Sequence, residues 1–280
     1  MRRLSVCLLA ALAFASCIPP EPDDDLIVKY DPEETVMGEI QQRGELVVAV
    51  PPAEPFKSFT SSLGTVVGDA LGVDTEIVPM EPPEILTAPG EGSADLAFPL
   101  ITVTEKLVRR AGDRYALMDP FYVAHQRLLV RTDSPIEQVE DLDGVVCQYA
   151  DEATGANVAQ LNPQARPISP PDPRACSIDV ARGKVQALSA ADWLAFPLLV
   201  KSARALELVG EDLTTEAYAP VVESGASAWV AFVEGVLAEA DAEGDWLRFY
   251  AHSFTPHGGE ETAYPEMTIE EAAALFPVEV

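Results

Sequence analysis

Few residues in this chain have both the type and the spacing for chemistry. Residues 98–110, FPLITVTEKLVRR, put two hydroxyls, Thr102 and Thr104, where an apolar strand run breaks into a helix start. Glu105 and Lys106 open that helix, and Arg109 and Arg110 close it. A helix start presents backbone N–H groups without intrahelical partners and a partial positive charge, which favours an anion by about 0.3–1 kcal/mol at an exposed end. His125, His252 and His257 have no metal-ligand spacing, so no metal is expected. There is no GxSxG nucleophile elbow and no GxxxxGK phosphate loop. With 46 acidic residues, pairs of carboxylates carry no signal. No cofactor is expected.

The elements that must position these groups alternate. Apolar runs at residues 45–50, 74–79, 94–99, 126–131, 145–149, 166–169, 184–190, 206–210 and 217–222 read as strands. Helical patterns fall at 61–72, 82–93 and 134–144, and again at 155–162 and 175–183. Another contains Trp229, Phe232, Val233, Val236 and Leu237 at helical spacing, a core stripe. DWLRFYAHSF (245–254) continues in that style, and Thr268 with Glu271 forms a capping box before a short last helix. Strand and helix in alternation predict α/β architecture, with parallel strands covered by helices. The 280 residues suit one large or two smaller domains.

The first 17 residues read as an export signal. Arg2 and Arg3 precede a short apolar stretch, and small residues lead to Cys17. The segment resembles a lipobox with Phe14 at its usual leucine position, which makes residues 1–16 the signal and Cys17 the lipidated first residue. Cleavage as an ordinary signal peptide is the alternative. Residues 17–37 then form a charged tether. The net charge is −28, and loss of the two signal arginines leaves −30. Such a surface repels phosphate backbones and excludes nucleic acid as a partner. Cys147 and Cys176, 29 positions apart, remain for one disulfide in an oxidising compartment.

Several stretches occur together in a familiar order. They are GELVVAV with PPAEPF, GSADLAFPLITVTEK, MDPFYVAHQRLLVRTDSPIEQVEDLDG, ATG, GKVQALSAAD and VGEDLTTEAYAPVVESG. Over about residues 38–252 the chain resembles extracytoplasmic solute-binding proteins that serve polar amino-acid ABC importers. The resemblance implies a type II periplasmic-binding-protein-like fold, with parallel-dominated sheets flanked by helices in two lobes joined by two hinge crossovers. Lobe 1 is expected at residues 38–127 plus 216–280 and lobe 2 at 128–215, with crossings near HQRLL and TTEAYA. It also implies a small-molecule ligand, permease and ATPase partners, a monomer, and no enzymatic activity. The expected place is the outer face of the membrane or the periplasm, held by the lipid. A ligand sensor without transport, or a lyase of the cyclohexadienyl-dehydratase kind, are the alternatives on this fold.

The resemblance assigns roles to residues. Thr102 and Thr104, beside Leu100, match hydroxyl positions that meet a ligand carboxylate. The arginine expected next to pair with that carboxylate is here Leu107. Arg110, one turn on, could replace it; Arg109 is less well aligned. A ligand without a carboxylate at this point, or drifted function, also fits. Thr154 and Gly155 match a loop whose N–H groups face the carboxylate. The acid that holds the ligand's ammonium falls at Ala191, with Asp192 next; Asp192 could serve, or could cap the helix that follows. Phe56 matches an aromatic that packs on the ligand, and the loop after it is shorter than usual.

Overall fold

A computed structural model describes residues 28–31, 35–81, 84–112, 114–149, 157–169, 172–260 and 262–276. Cys17, Thr154 and Gly155 lie outside these. The first part of the chain runs α1 (Val36–Arg43), β1 (Glu45–Val50), α2 (Phe56–Leu71), β2 (Asp74–Pro79), α3 (Glu84–Thr87), β3 (Leu96–Ala97), α4 (Glu105–Ala111) and β4 (Tyr115–Leu117). Next come β5 (Tyr122–Arg131), β6 (Val145–Tyr149), α5 (Asn157–Leu161), β7 (Arg166–Ile168), α6 (Pro173–Ala181), β8 (Ala187–Ala191), α7 (Asp192–Lys201) and β9 (Leu206–Tyr218). The chain ends with β10 (Val221–Glu223), α8 (Ser227–Ala242), α9 (Asp245–Phe254) and α10 (Ile269–Ala274).

Two five-stranded mixed sheets result, ordered β2-β1-β3-β10-β4 and β7-β6-β8-β5-β9. In each, three parallel strands form one side, and the remaining two join through antiparallel pairing. Both faces of the central strands are covered, which is why these strands read as continuous apolar runs. Leu46, Val48 and Val50 of β1 enter the core built with α2, α8 and α9, while Ala49 enters a second core with Ile85 and Tyr115. Leu128, Val130 and Val146 pack on one face of the second sheet, and Leu129, Cys147 and Leu188 on the other. There Cys147 on β6 is bonded to Cys176 on α6, with Cα atoms 6.3 Å apart.

Close approach of α2 to the first sheet depends on two glycines one turn apart. A Cβ on Gly64 would lie 2.8 Å from Val48 Cγ1, and one on Gly68 would lie 2.0 Å from Thr75 Oγ1. This helix starts at Phe56, five residues before the expected start, so no loop separates it from the end of the β1 turn. Three other segments depart from the sequence reading. Residues 134–144 hold only a 3-10 turn, Val139–Asp141, and 82–93 hold the one-turn α3 followed by a 3-10 turn. The strands expected at 206–210 and 217–222 are instead the thirteen-residue β9 and the short β10. The polar stretch between them reads locally as a turn, but β5 offers a long ladder, and a register shift between Gln126 and Leu128 absorbs the extra residues.

The last helix carries its capping box, Thr268 and Glu271. It packs Ala272 and Ala273 against Val103, Ala217 and Ala219. The carbonyl of Phe276 then accepts the Glu105 N–H at 3.1 Å.

Candidate functional site

Open α/β sheets bind ligands beyond the carboxyl ends of their strands, where consecutive connections leave in opposite directions. Both sheets have such a point. The chain leaves β1 for β2 on one side and returns to β3 on the other; β6, β7 and β8 repeat the pattern. In the first sheet the switch lies between the ends of β1 and β3, and in the second between the ends of β6 and β8. The antiparallel ribbon β5–β9 joins the two sheets, and the backbone of Thr102 bridges to Tyr218 at its end.

Register places a set of polar side chains on one face of this waist. Gln126 is opposite both Ala191 and Thr214, Ser189 is opposite Gln148, and Glu216 follows Thr214 on the same face of β9. Gln126, Gln148, Ser189 and Glu216 are all buried. The same sheet face is apolar farther along, at Leu128, Val130, Val146 and Ala187. Polarity therefore rises toward the switch point. Thr214 Oγ1 donates to Glu216 Oε1 at 2.8 Å, and Trp193 Nε1 donates to the Tyr218 hydroxyl at 3.1 Å. The Tyr218 hydroxyl lies 3.5 Å from Glu216 Oε2. The Ser189 hydroxyl is buried with no hydrogen-bond partner among the described residues.

Aromatic rings close the waist from the side of the first sheet. Phe56 stands edge-on to Tyr122, Trp193 and Phe254, with centroids 4.9, 5.2 and 5.0 Å away. Tyr122 stacks on Phe254 at 5.4 Å. Burial raises the Tyr122 hydroxyl well above its usual value and pushes Tyr250 to about 12, so both remain protonated donors. Asp192 is the first residue of α7. Its Oδ1 accepts the Trp193 N–H at 2.6 Å. Burial raises its carboxyl from 3.8 to about 6, opposed by that hydrogen bond and by the charge and backbone N–H of His125.

The residues singled out from sequence divide accordingly. Phe56 is fully buried; Leu100 is half-buried against the same core; Thr102 is 2% exposed; and Asp192 is buried beside them at the waist. Asp192 is not a helix cap, because Ala191 occupies that position. Thr104 is committed to capping α4, accepting the Leu107 N–H at 3.0 Å. Arg109 pairs with Glu105. Arg110 is exposed on the last turn of α4, where its charge acts on Tyr115. Sequence reading missed Gln126, Gln148, Ser189, Trp193 and Glu216. A glutamine near the end of an otherwise apolar strand, as in VVCQY, was the available signal.

Among the described residues no three His, Cys, Asp or Glu side chains gather to hold a metal. None of the described helices is long and apolar enough to cross a membrane. A groove of about 590 Å³ lies elsewhere, at the amino ends of β6, β7 and β8. Two of its cations, Arg131 and Lys184, are paired with Asp133 and Asp179, and parallel strands present their binding loops at the opposite end.

The profile of the bacterial extracellular solute-binding proteins, family 3, matches residues 56–256. The chain belongs to this family. Solved structures share its two-lobed type II fold. A mutant of the arginine-binding protein ArgBP from T. maritima is 23% identical, with 78% of this chain and 99% of that one covered and a TM-score of 0.61. An ancestral cationic amino-acid solute-binding protein, AncCDT-1, is 23% identical over 79% and 100%, with a TM-score of 0.66. It is also described as a precursor of cyclohexadienyl dehydratase. The amino-acid ABC transporter substrate-binding protein AbpA from Streptococcus pneumoniae, bound to L-arginine, is 19% identical over 79% and 99%, with a TM-score of 0.61. No curated protein sequence matches the chain.

Proposed function

We propose that this chain is the substrate-binding lipoprotein of an ABC importer, capturing a small polar or zwitterionic solute, an amino acid or a derivative, between its lobes. The observation that carries the reading is the buried polar face of β5, β6, β8 and β9 near the switch point of the second sheet, with the Thr102 backbone bridged to Tyr218 at the end of the same ribbon. Lobe 1 comprises residues 38–127 plus 216–280, and lobe 2 residues 128–215. The ribbon β5–β9 is the hinge, and closure over solute couples occupancy to shape. Phe56, Leu100, Thr102 and Asp192 form the first set of contacts, joined by Trp193 and Glu216. Thr154 and Gly155 complete the site from lobe 2. Arg110 is left out, because its side chain is exposed at the far end of α4.

Cys17 carries the lipid and holds the mature monomer on the extracytoplasmic membrane face, where permease and ATPase subunits receive the solute. Cys17→Ser should release the protein from membrane to soluble fraction. Binding is tested by thermal shift of the mature protein against amino acids, small amines and small carboxylates. A rise in melting temperature with one class is expected, since a ligand held by the native state stabilises it by mass action. No shift with any of them sinks the proposal. AncCDT-1 supplies a second reading, a lyase on the same fold. Product formed from prephenate or arogenate would favour it over binding without turnover.

A further inference from the structure

The family match ends at residue 256, but the described chain goes on to 260 and through 262–276. This tail leaves α9 by a 3-10 turn, Thr255–His257, which Gly258 closes in the left-handed region at φ 84°. Its first contact is with lobe 2. A Cβ added to Gly258 would stand 2.7 Å from Val200 Cγ2 and 3.6 Å from the Phe196 carbonyl oxygen, so the turn lies against α7. Trp193, Phe196 and Val200 are spaced i, i+3 and i+7 and share one face of that helix. The face meets lobe 1 twice. Trp193 stands against Phe56 at one end, and Phe196 and Val200 meet the tail at the other.

The tail is then tied to lobe 1. Gly259 N–H donates to Phe254 O at 3.0 Å, and the Tyr250 hydroxyl donates to Glu260 O at 2.8 Å. Tyr264 stands edge-on to Trp246, with centroids 5.9 Å apart. Ile269 N–H donates to Asp119 Oδ1 at 2.8 Å. The α10 alanines described above lie beside the half-buried Val123 as well as Ala217. Val123 and Ala217 are opposed residues of β5 and β9, at the lobe 1 end of the hinge ribbon. One end of the tail is therefore seated at the base of the hinge, and the other lies on α7 of lobe 2.

Rotation about the β5–β9 ribbon carries α7 past lobe 1, and with it the face on which Gly258 rests. Packed interfaces move between discrete arrangements and do not stretch continuously, because close packing leaves no slack. A tail seated at the base of the ribbon cannot follow α7 and must let it go. We propose that the tail after α9 is a strap across the hinge that restrains rotation of lobe 2 on lobe 1. Its hold on α7 sets how the protein without solute divides between lobe arrangements, and a solute must work against or with that hold when the lobes close. This rests on the lobes and hinge assigned above and adds to them a control that the family match does not contain.

The test measures the distance between lobes by double electron–electron resonance on the mature protein without solute. On a Cys17→Ser background, spin labels at Asp69→Cys on α2 and Gln160→Cys on α5, both exposed, report on lobe 1 and lobe 2. Two variants release the strap from opposite ends. Val200→Asp sets a charge against Gly258, and Ala272→Asp puts one in the fully buried contact beneath α10. Each should add an interlobe distance that the parent does not show. An unchanged distance distribution in either folded variant overturns the proposal. A lower melting temperature with unchanged distances also overturns it, because the tail is then a stabilising appendage and no restraint. Val200 is 58% exposed, so Val200→Asp should fold even where Ala272→Asp does not, and it then decides alone. No solute enters the measurement, so failure of the strap leaves the solute-binding reading intact, and failure of every solute in the thermal-shift screen leaves the strap intact.

Discussion

At Asp192 the folded chain holds a proton more tightly than the unfolded chain, because burial raises the carboxyl from 3.8 to about 6. Stability contributed by this group therefore falls as pH rises from 3.8 through 6, and above that range the folded state carries a constant penalty of about 2–3 kcal/mol. Asp192→Asn keeps an acceptor for the Trp193 N–H and removes the charge. It should raise unfolding free energy by about 2 kcal/mol near pH 7.5 and by much less near pH 4.5, measured in denaturant melts. Equal effects at both pH values would show that the carboxylate is not desolvated as described. Arg110 poses the opposite case. Its exposure predicts that Arg110→Ala changes ligand affinity by less than about 0.5 kcal/mol. A loss of 2–5 kcal/mol, the usual consequence of breaking a buried charged pair, would bring Arg110 into the site.

Among the elements, β6 and α6 are tied by Cys147 and Cys176, which are 3% and 2% exposed. A closed loop of 29 residues restricts the unfolded chain, and its loss should cost about 3 kcal/mol. The double variant Cys147→Ser, Cys176→Ser should lower the melting temperature by several degrees, and unreduced peptide mapping of the parent should show the two cysteines joined. Free thiols in mature protein exported to an oxidising compartment would remove the tie. The elements also differ in how far local pattern specified them. The capping box at Thr268 and Glu271 satisfies its own N–H groups, so α10 could be read directly from four residues. The start of α2 at Phe56 could not, because Pro55, Lys57 and Ser58 show no periodicity until Phe59, Leu63 and Val67 meet the first sheet.

For the whole molecule the dominant sequence term is charge. At −28 the native surface repels itself, and added salt shortens the range of that repulsion. Raising ionic strength from about 0.1 M to about 1 M shrinks the screening length from about 10 Å to about 3 Å and should raise the melting temperature. A melting temperature that is flat or falls in sodium chloride would mean that local ion pairs, such as Arg43 with Asp95, outweigh the net field. The same excess of acid extends inward: the described buried charges at the waist share the surface's sign.

Alternating apolar runs determined the α/β class and the order of most elements, because each of these is written in neighbouring residues. Pairing of β5 with β9 was decided elsewhere. GEDLTT has the composition of a turn, and it became strand only because a ten-residue partner lay across from it. Glu216, Ser189 and Gln148 are far apart in sequence and sit in strand contexts that read as core. Register brought them to one face, and register is a property of which strand lies beside which, set by long-range packing that no single segment encodes.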